Sequence, residues 1–198
     1  MMSEEAPQGP HPAAEDEFRL LVAGFGGQGI LTLGKLICMA AMRDGRNVTY
    51  LPSYGSEVRG GTAKCEVVLS SGLIYSPLVE SADGLIILNK LSFREYARRL
   101  KPDGLLVVDS AAIGSAKAPD ADVIAFPAGQ MAIELGNLRV ANVMIFGAFV
   151  AATGLLDEAN CVQVLKELLG GRKAELLDMN IEAFSRGTEL GASHARTA

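Results

Sequence analysis

The chain has 198 residues, a length typical of one domain, and 49% of them are apolar, so a sizeable hydrophobic core is expected. Its formal charge of −5 comes from five acids in the first 17 residues, because the other 18 acids balance the 18 Lys and Arg. A formally neutral folded part lacks the clustered basic face of a nucleic-acid-binding protein. No apolar run reaches the roughly 18 residues that cross a bilayer, so no membrane partner is expected.

Residues 1–17 are rich in Pro, Gly, Ala and Glu, and this composition predicts a disordered acidic tail. The segment lacks the basic start and the apolar stretch of an export signal, so we expect a cytoplasmic protein. We predict a single domain over residues 18–190 and a short tail over 191–198.

The sulfur and imidazole side chains are few and scattered. Cys38, Cys65 and Cys161 are far apart and flanked by apolar residues, which favours buried free thiols over zinc or iron–sulfur ligands. His11 and His194 lie near the two ends, so no histidine general base is expected on the core. The sequence therefore predicts no metal site and no catalytic residue on this chain.

The first half of the chain combines short apolar runs, turn signals and one helical pattern. A strand, a glycine turn, a helix and a second strand are predicted at 18–23, 24–29, 30–43 and 47–51. This start implies two strands that run in the same direction and are joined by a right-handed crossover. A third strand is predicted over 62–70, and residues 73–77 are a candidate hairpin partner for it.

The second half begins with apolar runs and becomes helical after Gly129. Buried strands are predicted at 84–88, 104–109 and 122–126, with a helix over 92–100. Later helices are predicted at 131–135, 140–153, 157–169 and 175–186. These elements predict an α/β fold, a Rossmann-like three-layer sandwich with a mostly parallel sheet plus an antiparallel hairpin.

The glycine turn follows the pattern G-x-G-x-x-G between a predicted strand and a predicted helix. Free backbone N–H groups and the helix dipole at such a turn favour an anion or phosphate. The candidate residues are Gly24, Gly26, Gly27, Gln28 and Gly29. Three interpretations stay open: a turn that only permits close packing, a phosphate site, and a dinucleotide site in a stand-alone NAD(P)-binding oxidoreductase. The last also needs an acid at the end of the second strand, and residues 49–52 contain none.

A second candidate region is the loop after the second strand, where α/β folds often place function. Its notable residues are Tyr54, Gly55, Glu57, Arg59, Gly60 and Gly61. Arg59 has the forked guanidinium that binds phosphate or carboxylate, but an internal ion pair with Glu57 that holds a surface turn is an equal alternative.

Asn142 lies inside an apolar helical pattern, where its amide must find a partner. A capping or loop-bracing bond and an interface contact both fit this position.

Two motifs carry a family resemblance. Gly24–Ile30 resembles the G-x-G-G-Q-G-[IV] turn of the gamma subunits of 2-oxoacid:ferredoxin oxidoreductases, and Pro52–Ala63 resembles their Y-G-x-E-x-R-G-G loop. Either motif alone is weak, but both in this order are specific, and the resemblance covers residues 18–184. The form Y-G-S-E-V-R-G-G-T-A is similar to the 2-oxoglutarate and branched-chain types, and we favour 2-oxoglutarate.

The resemblance implies a complex that converts a 2-oxoacid and coenzyme A into acyl-CoA and carbon dioxide and reduces ferredoxin. It places thiamine diphosphate and Mg²⁺ between alpha and beta subunits, and [4Fe-4S] clusters on beta or on a delta subunit. The gamma subunit then has an accessory role and packs on those partners. Contact of its glycine turn with coenzyme A or another phosphate is compatible with this role, and the loop around Arg59 is expected to face the partners.

Overall fold

The computed structural model describes residues 17–54, 62–114, 121–169 and 174–195. The strands in these residues are Phe18–Phe25 (β1), Asn47–Tyr54 (β2), Thr62–Ser70 (β3), Ala82–Ile87 (β4), Leu100–Asp109 (β5) and Asp122–Phe126 (β6). The helices are Ile30–Arg43 (α1), Lys90–Tyr96 (α2), Ser110–Ile113 (α3), Ala128–Glu134 (α4), Ala141–Thr153 (α5), Glu158–Leu169 (α6) and Ala174–Ala195 (α7). Two 3-10 turns, Ala97–Arg99 and Leu138–Val140, precede β5 and α5.

The strands form one sheet in the order β2-β3-β1-β4-β5-β6. The neighbouring pairs β1–β4, β4–β5 and β5–β6 are parallel, and β3 is antiparallel to both β1 and β2. The predicted mostly parallel sheet with an antiparallel hairpin is confirmed. The hairpin joins β2 to β3, however, and residues 73–77 form no strand. Both edges of β3 are already paired, so no edge is left for that segment. β1 and β2 run in the same direction, as predicted, but β3 lies between them.

Helices cover both faces of this sheet. α1 and α5 pack on one face, with α6 and α7 outside them, and α2 and α3 lie on the other face. Ten of the 13 residues of α5 are buried, because this helix lies between the sheet and α7. A helix enclosed in this way needs apolar residues on every side, which accounts for its continuous apolar sequence.

Several element boundaries differ from the predicted ones. The predicted helix over 92–100 ends earlier, as α2 and a 3-10 turn, and β5 begins at Leu100. α7 extends to Ala195, nine residues beyond the predicted end of the last helix at 186. Among the described residues, no helix is both long and apolar enough to cross a membrane.

The three cysteines are buried and free, as predicted. Burial raises the pKa of the Cys38, Cys65 and Cys161 thiols to about 12, because a thiolate is poorly stabilised away from water. These thiols are therefore neutral core side chains at physiological pH.

Candidate functional site

The candidate site lies at the edge of the sheet where β1, β4, β5 and β6 end, which we call the carboxyl edge. After β1 the chain crosses to β2 on one side, whereas β4 lies on the other side of β1. A parallel sheet opens a crevice at such a change of direction, outside the ends of its strands. Gly24 lies within the end of β1, and the rest of the predicted glycine turn, residues 26–29, follows this strand, so the structure places this motif at the crevice.

Gly29 is the residue of the turn that most clearly requires glycine. Its φ of 75° is left-handed, a conformation that glycine adopts without steric cost. A Cβ atom at this position would also overlap the side-chain amide of Asn142. A side chain at position 29 would therefore push the Asn142 amide away from the turn.

Gln28 braces the turn against β4. Its Oε1 accepts hydrogen bonds from the Phe25 N–H at 2.6 Å and from Asn89 Nδ2 at 3.3 Å. Its Nε2 donates to the Leu88 carbonyl oxygen at 3.0 Å. One side chain thus holds the end of β1 to the end of β4 and sets the shape of the crevice.

Asn142 holds the other side of the turn. Its Nδ2 donates to the Gly29 carbonyl oxygen at 3.2 Å, and the residue is only 5% exposed. Its Oδ1 is buried and has no hydrogen-bond partner among the described residues. The bond braces the turn, while an interface contact of this residue stays a prediction.

The start of α1 is electrostatically suited to an anion. No side chain caps the helix, and its first turn contains no acid. The first N–H groups of a helix have no acceptor within the helix, and the dipole makes this end positive. Binding of a phosphate at residues 24–29 is therefore compatible with the geometry of the turn.

Two cavities flank the turn, with volumes of about 160 Å³ and 390 Å³. Gly27, Asn137 and Arg139 line both of them. Asn137 Oδ1 accepts a hydrogen bond from the Arg139 N–H at 3.0 Å and so caps the 3-10 turn that carries the arginine. Arg139 was not among the residues that the sequence singled out. The available signal was a basic residue directly before an apolar helix, which is too common to identify a site.

Asp109 completes the carboxyl edge at the end of β5. Its Oδ1 accepts from the Ala111 N–H at 3.0 Å and caps α3, and its Oδ2 accepts from the Gly129 N–H at 2.8 Å near the start of α4. Both carboxylate oxygens of Asp109 therefore accept hydrogen bonds from backbone N–H groups at the starts of helices. Asp109 shapes the larger cavity, and these bonds give it a structural role.

The predicted loop is only partly placed. Tyr54 ends β2 and pairs with Ala63, and Thr62 begins β3 beside Phe25. These residues lie at the carboxyl edge next to the glycine turn. The other residues singled out in the loop lie outside the described residues: Gly55, Glu57, Arg59, Gly60 and Gly61. The roles predicted for them stay predictions.

Comparison with known proteins identifies the family. Residues 19–190 match the family model described as pyruvate ferredoxin/flavodoxin oxidoreductase. The ketoisovalerate oxidoreductase subunit VorA of Methanothermobacter marburgensis is 35% identical over 91% of this chain, which spans 38% of the relative's length. The 2-oxoglutarate synthase subunit KorC of Methanocaldococcus jannaschii is 33% identical, over 88% of this chain and 92% of the relative.

Solved structures share the fold. The gamma subunit of a keto/oxoacid ferredoxin oxidoreductase from Geobacter sulfurreducens superposes with a TM-score of 0.77 at 29% identity, covering 90% of this chain and 98% of that one. A 2-oxoglutarate:ferredoxin oxidoreductase from Magnetococcus marinus gives a TM-score of 0.81 at 27% identity, covering 90% of this chain and 32% of that one. The chain therefore belongs to the pyruvate ferredoxin/flavodoxin oxidoreductase family, and the resemblance to gamma subunits predicted from its two motifs is confirmed.

Proposed function

We propose that this chain is the gamma-type subunit of a thiamine-dependent 2-oxoacid:ferredoxin oxidoreductase complex. The complex would oxidatively decarboxylate 2-oxoglutarate, transfer the acyl group to coenzyme A and pass the electrons to ferredoxin. The observation that carries the proposal is the family match over residues 19–190, on a fold shared with a gamma subunit of this class. The reacting centre would lie on partner alpha and beta subunits, with a delta subunit as a further component.

The side chains of this chain support an accessory role. Among the described residues, no three His, Cys, Asp or Glu side chains are grouped so that they could hold a metal ion. Cluster and Mg²⁺ ligands are therefore proposed for the partners, as is the thiamine diphosphate site. The contribution of this chain would be the carboxyl edge, where the glycine turn meets the two cavities.

Coenzyme A is the proposed co-substrate at this edge. Its phosphates are anions of the kind that an uncapped helix start favours, and Arg139 adds a permanent positive charge beside the same turn. The name of the Magnetococcus marinus structure states that 2-oxoglutarate, coenzyme A and succinyl-CoA are bound in that protein. We propose that coenzyme A also contacts this chain, at the turn formed by residues 24–29.

Two 2-oxoacids are candidates for the substrate. KorC relatives, named for 2-oxoglutarate, are matched over 92% of their own length at 33% identity. Ketoisovalerate is the second candidate, because the VorA relatives are 35% and 36% identical to this chain. We favour 2-oxoglutarate, in agreement with the Y-G-S-E-V-R-G-G-T-A form of the loop.

The test is reconstitution of the complex. The chain is co-expressed with its alpha and beta partners under anaerobic conditions, and ferredoxin reduction is followed as each 2-oxoacid and coenzyme A are varied. We expect kcat/KM for 2-oxoglutarate to exceed that for ketoisovalerate by about tenfold or more, since their side chains differ by a full charge. A preparation without this chain is the control. The opposite order of the substrates would select the second candidate, and a complete complex without 2-oxoacid-dependent reduction would refute the proposed function.

The structure also bears on the alternative of a stand-alone NAD(P)-binding oxidoreductase. In a dinucleotide-binding fold the acid that holds the ribose ends a strand next to the first strand. Here β3 lies in that place and runs in the opposite direction, and β2 ends without an acid. Within the described residues, the ends of β1 and β2 therefore provide no acid that would bind the ribose hydroxyls of a dinucleotide.

We accordingly expect no tight binding of NAD(H) to the chain. Isothermal titration calorimetry on the full chain should show no affinity in the low micromolar range, about −8 kcal/mol. Coenzyme A titrated in the same buffer is the matched comparison. Low-micromolar NAD(H) binding would make the dehydrogenase interpretation the better one.

A further inference from the structure

The segment between β3 and β4, residues 71–81, forms neither helix nor strand and exposes several apolar side chains. It contains three of the eight large apolar side chains that are exposed among the described residues. These are Leu73, Tyr75 and Leu78, with exposed fractions of 76%, 71% and 51%. A monomeric protein seldom places such side chains together on its surface, so this cluster, which we call the apolar patch, marks an interaction surface.

Hydrogen bonds from the rest of the domain hold this segment in place. Arg19 Nη1 donates to the Leu78 carbonyl oxygen at 2.6 Å. The Val79 N–H donates to Glu66 Oε2 at 2.9 Å, and the Val79 side chain is buried. The apolar side chains are therefore presented by a fixed backbone, which lowers the entropy cost of binding a partner.

The patch lies at the amino edge of the sheet, the edge where β1, β4, β5 and β6 begin. β3 runs antiparallel to β1 and ends beside its start, where Leu69 pairs with Phe18. The segment then leads into the start of β4. The amino edge is the opposite end of the sheet from the carboxyl edge, so a contact here leaves the glycine turn open to the proposed partner subunits.

A cavity of about 370 Å³ adjoins the patch. Leu78 belongs to both, and Ser76, which directly follows Tyr75, also lines the cavity. The other lining residues carry charges or a hydroxyl: Arg19, Glu80, Ser81 and Lys101. Pockets that hold small organic molecules have volumes of roughly 300–1,000 Å³, so this cavity has room for a phenol ring.

The groups in this cavity match a tyrosine side chain. Glu80 forms no ion pair within the described part of the chain, and its carboxylate can accept a hydrogen bond from a phenol O–H. The Lys101 ammonium is held by Asp83 at 2.6 Å and can lie against an aromatic ring, and Leu78 adds an apolar contact. An anion would instead meet Glu80, and a cation would meet Lys101 and Arg19.

We propose that the amino edge binds a second copy of this chain across a two-fold axis, with Tyr75 of each copy in the cavity of the other. A two-fold contact needs a protruding group and its matching cavity on the same surface, and the apolar patch and the cavity beside it provide both. The Tyr75 O–H donates to Glu80 of the other copy, and its ring packs on Leu78 and Lys101. Leu73 extends the apolar contact around the ring.

Sedimentation equilibrium of the full chain tests the proposal. We expect a reversible monomer–dimer equilibrium with a Kd of about 10 µM. Tyr75→Ser removes both inserted rings and should raise this Kd about a hundredfold, since a buried tyrosine anchor contributes a large share of the binding energy. The matched control is Ile133→Ser on α4, which removes an apolar side chain of similar exposure, 61%, and should leave the Kd unchanged. A wild-type chain that stays monomeric at about 200 µM, or equal effects of the two substitutions, would overturn the proposal and leave the patch to a different protein.

A pair of variants tests the two-fold arrangement itself. Ser81→Tyr fills the cavity but keeps Tyr75, so this variant alone should also stay monomeric. In an equimolar mixture with Tyr75→Ser, one of the two contacts can form, because the intact Tyr75 of the first variant meets the open cavity of the second. The mixture should therefore dimerise only about tenfold more weakly than the wild type, if the two contacts contribute equally. A mixture that stays monomeric would overturn the exchange of tyrosine side chains between two copies.

The outcome is separate from that of the proposed function. The measurements use neither partner subunits nor turnover, and the carboxyl edge takes no part in the contact. A chain that stays monomeric would leave the proposed function standing, and a complex without 2-oxoacid activity would leave the dimer standing.

Discussion

Replacement of Gly187 by Ala is expected to destabilise the fold by about 3 kcal/mol, which corresponds to a fall in Tm of about 6–12 °C for a domain of this size. Gly187 lies on α7, and a Cβ atom there would overlap the carbonyl oxygen of Met144 on α5. One turn further, a Cβ atom on Gly191 would overlap the carbonyl oxygen of Ala148. The overlapped atoms are backbone, so no side-chain rotation relieves the clash, and the two helices must separate.

The expected loss of stability is opposite in sign to the usual effect of replacing Gly by Ala in a helix, so an unfolding measurement distinguishes the two. Within a helix, Ala is ordinarily about 1 kcal/mol more favourable than Gly. Ser185→Ala, at an exposed position of the same helix, is the control and should change stability by no more than about 0.5 kcal/mol. Urea and thermal unfolding followed by circular dichroism measure both variants. A Gly187→Ala protein as stable as the wild type would show that α5 and α7 do not pack as described.

The same packing connects stability to the site. α5 carries Asn142 near its start, and α7 carries Asn180, and both residues line the smaller cavity. A separation of the two helices would therefore widen the cavity as well as expose apolar core. Gly187 lies outside both family motifs, so its effect reports on the scaffold rather than on a contact with a ligand.

The sequence predicted the strands and the central helices well because their signals are local. Short apolar runs bounded by turn residues identify buried strands, and the continuous apolar pattern around Phe146 identifies an enclosed helix. The place of β3 between β1 and β2 could not be predicted in the same way. Strand order depends on contacts between distant segments, and a nearby apolar stretch, residues 73–77, was an equally good partner by pattern.

The end of α7 was underestimated for a related reason. Gly187 and Gly191 weaken a helical pattern, and a propensity argument ends the helix before them. In the folded chain they are the residues that allow α7 to contact α5, so tertiary packing continues the helix to Ala195. The same non-local cause explains why the glycine turn could be singled out as a candidate from its motif, while Arg139, which lines both cavities beside it, could not. The turn is one continuous segment, whereas Arg139 joins it only through the fold.

The second large effect is expected at Arg59, whose role stays a prediction from the sequence. Tyr54 and Thr62 lie at the carboxyl edge, beside the end of β1 and the glycine turn. Partner subunits that use this edge would therefore approach the end of β2 and the start of β3 as well. A guanidinium can bind a phosphate or carboxylate with two parallel hydrogen bonds, and the carboxylate of Glu57 can orient it.

Arg59→Ala should lower turnover of the reconstituted complex more than tenfold, because the loss of one charge-assisted contact costs about 2 kcal/mol. Arg59→Lys should restore only part of the activity, since lysine keeps the charge but cannot form the two-pronged contact. Steady-state kinetics with the 2-oxoacid and coenzyme A varied separately will show which of the two substrates the arginine serves. Circular dichroism of the isolated chain tests whether the fold is retained.

Arg98→Ala provides a matched loss of charge, because this arginine is exposed and precedes β5 at the opposite end of the sheet. It should leave both kinetic constants near their wild-type values. A loop that only forms a surface turn, braced by an internal pair of Glu57 and Arg59, gives a different result. In that case Arg59→Ala would leave assembly, kcat and both KM values unchanged, as exposed ion pairs contribute about 1 kcal/mol or less. That result would remove the loop from the proposed functional surface, and it would leave the glycine turn and its two cavities as the proposed contribution of this chain to the complex.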